Sequence, residues 1–320
     1  MQKILWILII FLGAFHFAKA QTAVQPENSQ REVAVTIDDL PLNSLFRDME
    51  SKRKITQKLL ASLTAYEVPA IGFVNESKLY TGGNLDKEQV ALLKQWLTAG
   101  LELGNHAYAH KDYHHIEFAE FAEDIRKGEP ITRNLLAEYD KTLQYFRHPY
   151  LHVGNSPEKK AQLESFLKEI GYKVAPVTID NQEWIFARAY DNALLSGDTA
   201  LARRIGETYV DYMEDVFAYY EQQSVALFDR EIRQVLLLHA NTINSDYLDD
   251  LLAMMQERGY RFTPLEEALQ DEAYASEDTY TGNGGISWVH RWALTQGKEG
   301  DFFKGEPEAP AFVHEVAALK

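Results

Sequence analysis

Val33-Ala34-Val35-Thr36-Ile37-Asp38-Asp39-Leu40-Pro41 is a β-branched, apolar run that ends on two adjacent carboxylates and a proline. The run predicts a strand, because valine, isoleucine and threonine fit a pleated surface. Successive strand side chains point to opposite faces. Asp38 and Asp39 therefore reach one point only if the strand ends there and the backbone turns. Leu40-Pro41 supplies a turn, since proline steers its predecessor away from helix and cannot donate within a central strand. Taken alone, the two acids read as caps of a loop, since acidic residues concentrate at turns.

Outward from this run, short apolar segments alternate with stretches of helical periodicity. Residues 69–74, 101–103, 143–146, 172–175, 235–238 and 260–262 read as strands. Ile55, Leu59 and Leu63, then Val90, Leu93 and Leu97, then Leu248, Leu251, Leu252 and Met255 mark apolar helix faces. The pattern predicts an α/β fold with a mainly parallel sheet. Asp38, Asp39, His106, Arg147 and His239 all fall at or just past predicted strand ends. That favours a βα barrel, open or closed, with a doubly wound sheet as the alternative. Residues 185–233 are helical and strand-free, an insertion whose Tyr209, Tyr212, Phe217, Tyr219 and Tyr220 serve either core packing or a sugar platform. Residues 271–320, with Gly282, Gly284, Gly285, Pro307 and Pro310, read as an irregular extension whose end is a candidate for disorder.

Residues 1–20 carry Lys3, an apolar stretch from Ile4 to Phe17, then Ala18-Lys19-Ala20, which reads as a secretory signal peptide cleaved before Gln21. The stretch is shorter than the roughly 20 residues a membrane-spanning helix needs. Residues 21–31 are polar and aperiodic, a flexible leader. The chain has no cysteine, hence no disulfide and no acylated thiol. A secreted or periplasmic protein with no integral membrane segment in the mature chain is expected. The net charge of −16 becomes −18 without Lys3 and Lys19, which argues against nucleic acid or an anionic membrane as partner.

His106-Ala107-Tyr108-Ala109-His110 offers two imidazoles four residues apart, about 5–6 Å on one face if this is a helical turn. With Asp39 they form a two-histidine, one-carboxylate set, suited to one catalytic divalent ion: Zn²⁺ first, with Co²⁺, Mn²⁺ or Ni²⁺ also fitting. Single H-x-x-x-H matches are common by chance. Arg147 is able to hold a carboxylate in a bidentate pair, and His239, after an apolar strand, to donate a proton. His114 and His115 read as a solvated loop, with a ligand role as the alternative.

In order and spacing these pieces resemble the polysaccharide deacetylases of carbohydrate esterase family 4, with their NodB homology domain, over roughly residues 32–270. Thr36-Ile37-Asp38-Asp39 is similar to T-F-D-D, His106 to His110 to H-S/T-x-x-H, and Arg147-His148-Pro149-Tyr150 to R-x-P-Y. Asp180 to Trp184 is similar to D-x-x-D-W, and Leu238-His239 to the closing L-x-H. The resemblance implies a distorted (β/α)₇ barrel acting on an acetylated carbohydrate. It also implies that Asp39, His106 and His110 hold the metal, that Asp38 is the base oriented by Arg147, and that His239 is the acid. Tyr150 would contribute a backbone N–H to the oxyanion, and Trp184 and Leu238 would wall the acetyl pocket. Leu40, Ala107, Leu151 and Glu183 depart from the pattern. The first and third alter the cleft, and Glu183 leaves two candidates, itself and Asp180, for the support of His239. These departures keep open a small non-sugar amide as substrate, or a barrel that binds carbohydrate without turnover.

Overall fold

The computed structural model describes residues 31–318. The expected signal peptide (1–20) and the leader up to residue 30 lie outside the described residues, and Arg31, counted with the leader, begins the first strand. The strands are β1 (Arg31–Leu40), β2 (Ile71–Val74), β3 (Tyr80–Thr81), β4 (Asn84–Leu85), β5 (Glu102–Asn105), β6 (Tyr145–Phe146), β7 (Lys173–Val174), β8 (Gln234–His239) and β9 (Tyr260–Phe262). All but β3 and β4 form one parallel sheet in the order β7-β6-β5-β2-β1-β8, with β9 paired to the start of β1. The seven strand segments expected from the sequence are thus the seven of the sheet. The β3–β4 hairpin was not foreseen.

β1 is flanked by β2 and β8, and residues 33–42 are buried without interruption. That is why its sequence reads as a continuous apolar run rather than an alternating one. The sheet curls until the segment after β7 meets the far edge, where Ile179 bridges Leu236. The result is the expected barrel, distorted because residues 175–179 join its edges by single contacts rather than a full strand.

Helices α1 (Met49–Ala65), α2 (Lys87–Thr98), α3 (Phe118–Lys127), α4 (Pro130–Ala137) and α5 (Pro157–Glu169) make the first crossovers. Asp48, Asp86 and Ser156 cap three of them by accepting from first-turn N–H groups, each cap contributing about 1 kcal/mol. The strand-free stretch holds α6 (Glu183–Leu195) and α7 (Thr199–Phe228), and α8 (Thr242–Glu257) returns to β9. α9 (Leu265–Ala268), α10 (Trp288–Thr295) and α11 (Ala311–Ala317) follow.

The last two correct the expectation of an irregular tail. Trp288 N–H donates to Val177 O at 2.7 Å and Ser287 Oγ to Thr178 O at 2.6 Å, so the tail seals the weak seam of the barrel. Arg291, fully buried, pairs with Asp278 at 2.8 Å, and α11 packs on α6. The glycines and prolines misled because the tail's partners are distant in sequence.

Candidate active site

The β1–β8 register places Asp38 opposite His239, so the two side chains stand together on one face of the sheet. Asp39 joins them because its backbone is left-handed (φ 70) inside a bulge of β1 against β2 between Ile37 and Leu40. A bulge of this kind re-aims a side chain, and aspartate tolerates the left-handed region. The turn thus lies one residue before the expected Leu40-Pro41. Leu40 itself packs beneath the sheet, where Gly72 leaves room for it, rather than at the cleft. Leu151 does line the cleft.

His106 and His110 lie not on a helical turn but in a loop after β5, with left-handed backbone at Ala107 (φ 60) and His110 (φ 53). Asn105 Oδ1 accepts from Ala107 N–H at 2.7 Å, and Asn75 donates to His106 O at 2.6 Å. These bonds hold the rings 4.8 Å apart. His106 Nδ1 donates to Arg147 O at 2.8 Å, which turns the Nε2 lone pair inward, 3.6 Å from Asp38 Oδ2. His110 Nε2 lies 3.8 Å from Asp39 Oδ1.

Asp39, His106 and His110 each bring a ligand atom within 4.8 Å of the others. Burial lowers both imidazoles, His106 well below the ordinary range, so their lone pairs are available at neutral pH. Burial would raise Asp39, but Lys78, His110 and His106 outweigh it and keep the carboxylate ionised. Neutral imidazoles and an ionised carboxylate are the donor set a divalent ion of the Zn²⁺ type requires.

Lys78 and Asn43 were missed in the sequence. Lys78 Nζ lies 3.1 Å from Asp39 Oδ1, and Asn43 donates to Oδ2 at 2.6 Å. An ion held by Asp39 would share that carboxylate with the ammonium. Lys78 follows the C-terminal end of β2, so the strand-end rule that found the other residues also pointed here.

Arg147 is fully buried and does not make the bidentate pair considered for it. Its Nη2 donates to Thr36 Oγ1 at 2.8 Å, its Nη1 stands 3.5 Å from Asp38 Oδ2, and its guanidinium covers the Phe73 ring at 4.8 Å. Burial pushes Asp38 up to about 6, against the pull of Arg147 and His239. Glu183, not Asp180, holds the histidine: Glu183 Oε2 accepts from His239 Nδ1 at 2.7 Å. Asn241 and Asn244 both donate to the other oxygen of Glu183. Burial would lower His239, but the charge and hydrogen bond of Glu183 raise it to about 9. Asp180 faces the cavity instead, pushed up to about 7 by burial.

The cavity above these groups measures about 710 Å³. Tyr150 and Trp184 line it and are 54% and 61% exposed. Leu238 does not line it: it is fully buried, and Leu237 takes the wall. Strand periodicity explains this, since Leu237 shares a face with His239 and Leu238 points the other way. Tyr212, Val216 and Tyr220 of α7 form another wall, so part of the insertion's aromatic face opens on the cavity while Tyr209 and Phe217 are core. Ile286, Glu306 and Glu308 of the tail complete it.

The family model described as polysaccharide deacetylase matches residues 25–175. Over that segment the chain is similar to the polysaccharide deacetylases. The matched segment contains Asp38, Asp39, His106, His110 and Arg147 and ends before Glu183 and His239. No curated protein matches the sequence. Among solved structures, the Bc1960 peptidoglycan N-acetylglucosamine deacetylase is 19% identical with a TM-score of 0.50, over 76% of this chain and 89% of that one. This likeness is one of fold. The peptidoglycan deacetylase PdaC from Bacillus subtilis is 21% identical with a TM-score of 0.48, over 76% of this chain and 93% of that one. A mutant of BA3943, a CE4 family pseudoenzyme with restored enzymatic activity, is 18% identical with a TM-score of 0.47, over 76% and 69%.

Proposed function

We propose that this protein is a metal-dependent hydrolase that removes acetyl groups from an N- or O-acetylated carbohydrate, exported by residues 1–20 to the periplasm or cell exterior. The observation that carries the reading is the Asp38–His239 pair, in register on adjacent strands beside the Asp39–His106–His110 donor set. A divalent ion on that set supplies Lewis acidity and lowers the pKa of water. Asp38, raised by burial toward neutral pH, takes the proton of the attacking water. The Tyr150 backbone N–H donates to the oxyanion that develops on the acetyl carbonyl. His239, kept protonated by Glu183, gives its proton to the departing amine or alcohol as the acyl bond breaks. Arg147 orients Asp38, and Trp184 and Leu237 bound the acetyl group.

Acetate release tests this. Chelated protein is offered N-acetylglucosamine oligomers, peptidoglycan and acetylxylan, then assayed again after addition of Zn²⁺ or Co²⁺. Release that returns with the metal supports the reading. Silence on every substrate with the ion bound overturns it, in favour of a small-amide hydrolase or a binding protein. The α7 and tail walls favour a short acetylated saccharide over a long polymer, and the same walls suit a small non-sugar acetamide.

Glu183→Gln is expected to move the alkaline limb of the kcat/KM profile. The acid must be protonated, so activity falls as pH rises through the His239 pKa. Without the Glu183 charge that pKa drops from about 9 toward the ordinary histidine range, so the limb shifts to lower pH by about one unit or more. An unchanged limb would show that His239 is not the acid.

A further inference from the structure

A second group of ligating side chains lies beside this site and has no part in the chemistry above. Asp112, His114 and His152 each bring a ligand atom within 4.8 Å of the others. The structure separates the histidine pair that the sequence placed together in a solvated loop. The His115 side chain is 78% exposed and bonds Asp112, whereas His114 is 8% exposed. Neither ring nitrogen of His114 makes a well-formed hydrogen bond; the backbone of Asn283 offers a weak one to one of them. A buried imidazole with at least one nitrogen unsatisfied calls for a partner, and an ion is one.

Around it the group is held in place. Asp112 Oδ1 accepts from the His114 N–H at 2.9 Å and from His152 Nδ1 at 2.7 Å, and Oδ2 accepts from His115 at 2.8 Å. The His114 and His152 rings stack at 3.7 Å, 5° from parallel.

We propose that Asp112, His114 and His152 bind a second divalent cation, of the Zn²⁺ type. Two imidazoles and a carboxylate are borderline donors suited to that ion, with open positions for water. Stacking sets the ring lone pairs side by side, so binding an ion turns the two rings out of their present 5° alignment. Its role follows from where His152 sits, and this part rests on the proposed function. His152 closes the turn Pro149–Leu151, its N–H donating to Pro149 O at 3.1 Å. Tyr150 and Leu151 in that turn are both left-handed (φ 56 and 55), a conformation non-glycine residues hold only when their surroundings fix it. An ion on His152 fixes the turn that presents the Tyr150 N–H, while the first ion serves Asp39, His106 and His110. His110, Tyr150 and His152 lie in a row, with ring separations of 4.5 and 5.7 Å, so the two sites flank the oxyanion donor.

The test is metal stoichiometry in the untagged, chelator-stripped protein titrated with Zn²⁺, with Co²⁺ absorption as a second readout. Two equivalents per chain are expected in the wild type, one in His152→Ala and one in His106→Ala, lost from different sites. Asp112→Asn is the companion variant should His152→Ala fold poorly. A wild-type end point at one equivalent overturns the proposal without any variant, and so does His152→Ala retaining two. Two bound ions with no acetate released would leave this site standing and overturn the deacetylase reading. One ion with acetate released would do the reverse.

Discussion

Asp38→Asn is expected to lower kcat/KM by about 10²–10⁴-fold, the range a positioned general base contributes, while the protein still binds its ion. The carboxylate is almost wholly buried, and its Oδ1 makes no hydrogen bond, so no other donor competes for that basic oxygen. Burial raises its pKa to about 6, near the pH at which a base both accepts and releases protons readily. Asparagine matches the shape and the Arg147 contact distance but has no basic oxygen. The Asp39–His106–His110 set is untouched by the change. The check is acetate release alongside bound metal: full activity with the ion retained would remove Asp38 from the role of base.

His106→Ala is expected to abolish both ion binding at the catalytic set and turnover. The imidazole supplies one of three ligand atoms, and its Nδ1 bond to Arg147 O fixes the ring that carries the other nitrogen. Loss of an outer partner of a ligand costs about 10–100-fold in affinity, and loss of the ligand itself costs more. His106 is buried and packs edge-on against Phe73, so its removal also leaves a cavity. His110→Ala gives the same result with less risk to the fold, because that side chain is 24% exposed. Equilibrium dialysis with Zn²⁺ and a circular dichroism melt separate loss of the ion from loss of structure. Turnover that survives in a folded, ion-free variant would overturn metal dependence.

Much of the barrel and most of the site were legible in the sequence because they depend on short-range rules. The β1 run announced a central strand through its β-branched residues, and strand ends announced Asp38, His106, Arg147 and His239 because parallel strands carry their loops to one rim. Period-two alternation even held the answer at the pocket wall. It assigns Leu237, not Leu238, to the face of His239.

The remainder required the folded chain. Asp39 faces the site only because a bulge against β2 turns its backbone left-handed, a feature set by pairing with a strand some thirty residues on. Glu183 won over Asp180 because the start of α6 sets its carboxylate against His239 and two asparagines of the segment beginning α8. His114 left the solvent, and the tail sealed the seam beside Val177, through contacts between residues far apart in sequence. Composition and periodicity report which residues prefer water and which face of an element is apolar. Which distant groups come to share a buried space depends on tertiary packing, and that packing decided the support of His239, the shape of the cavity and the second cluster of histidines.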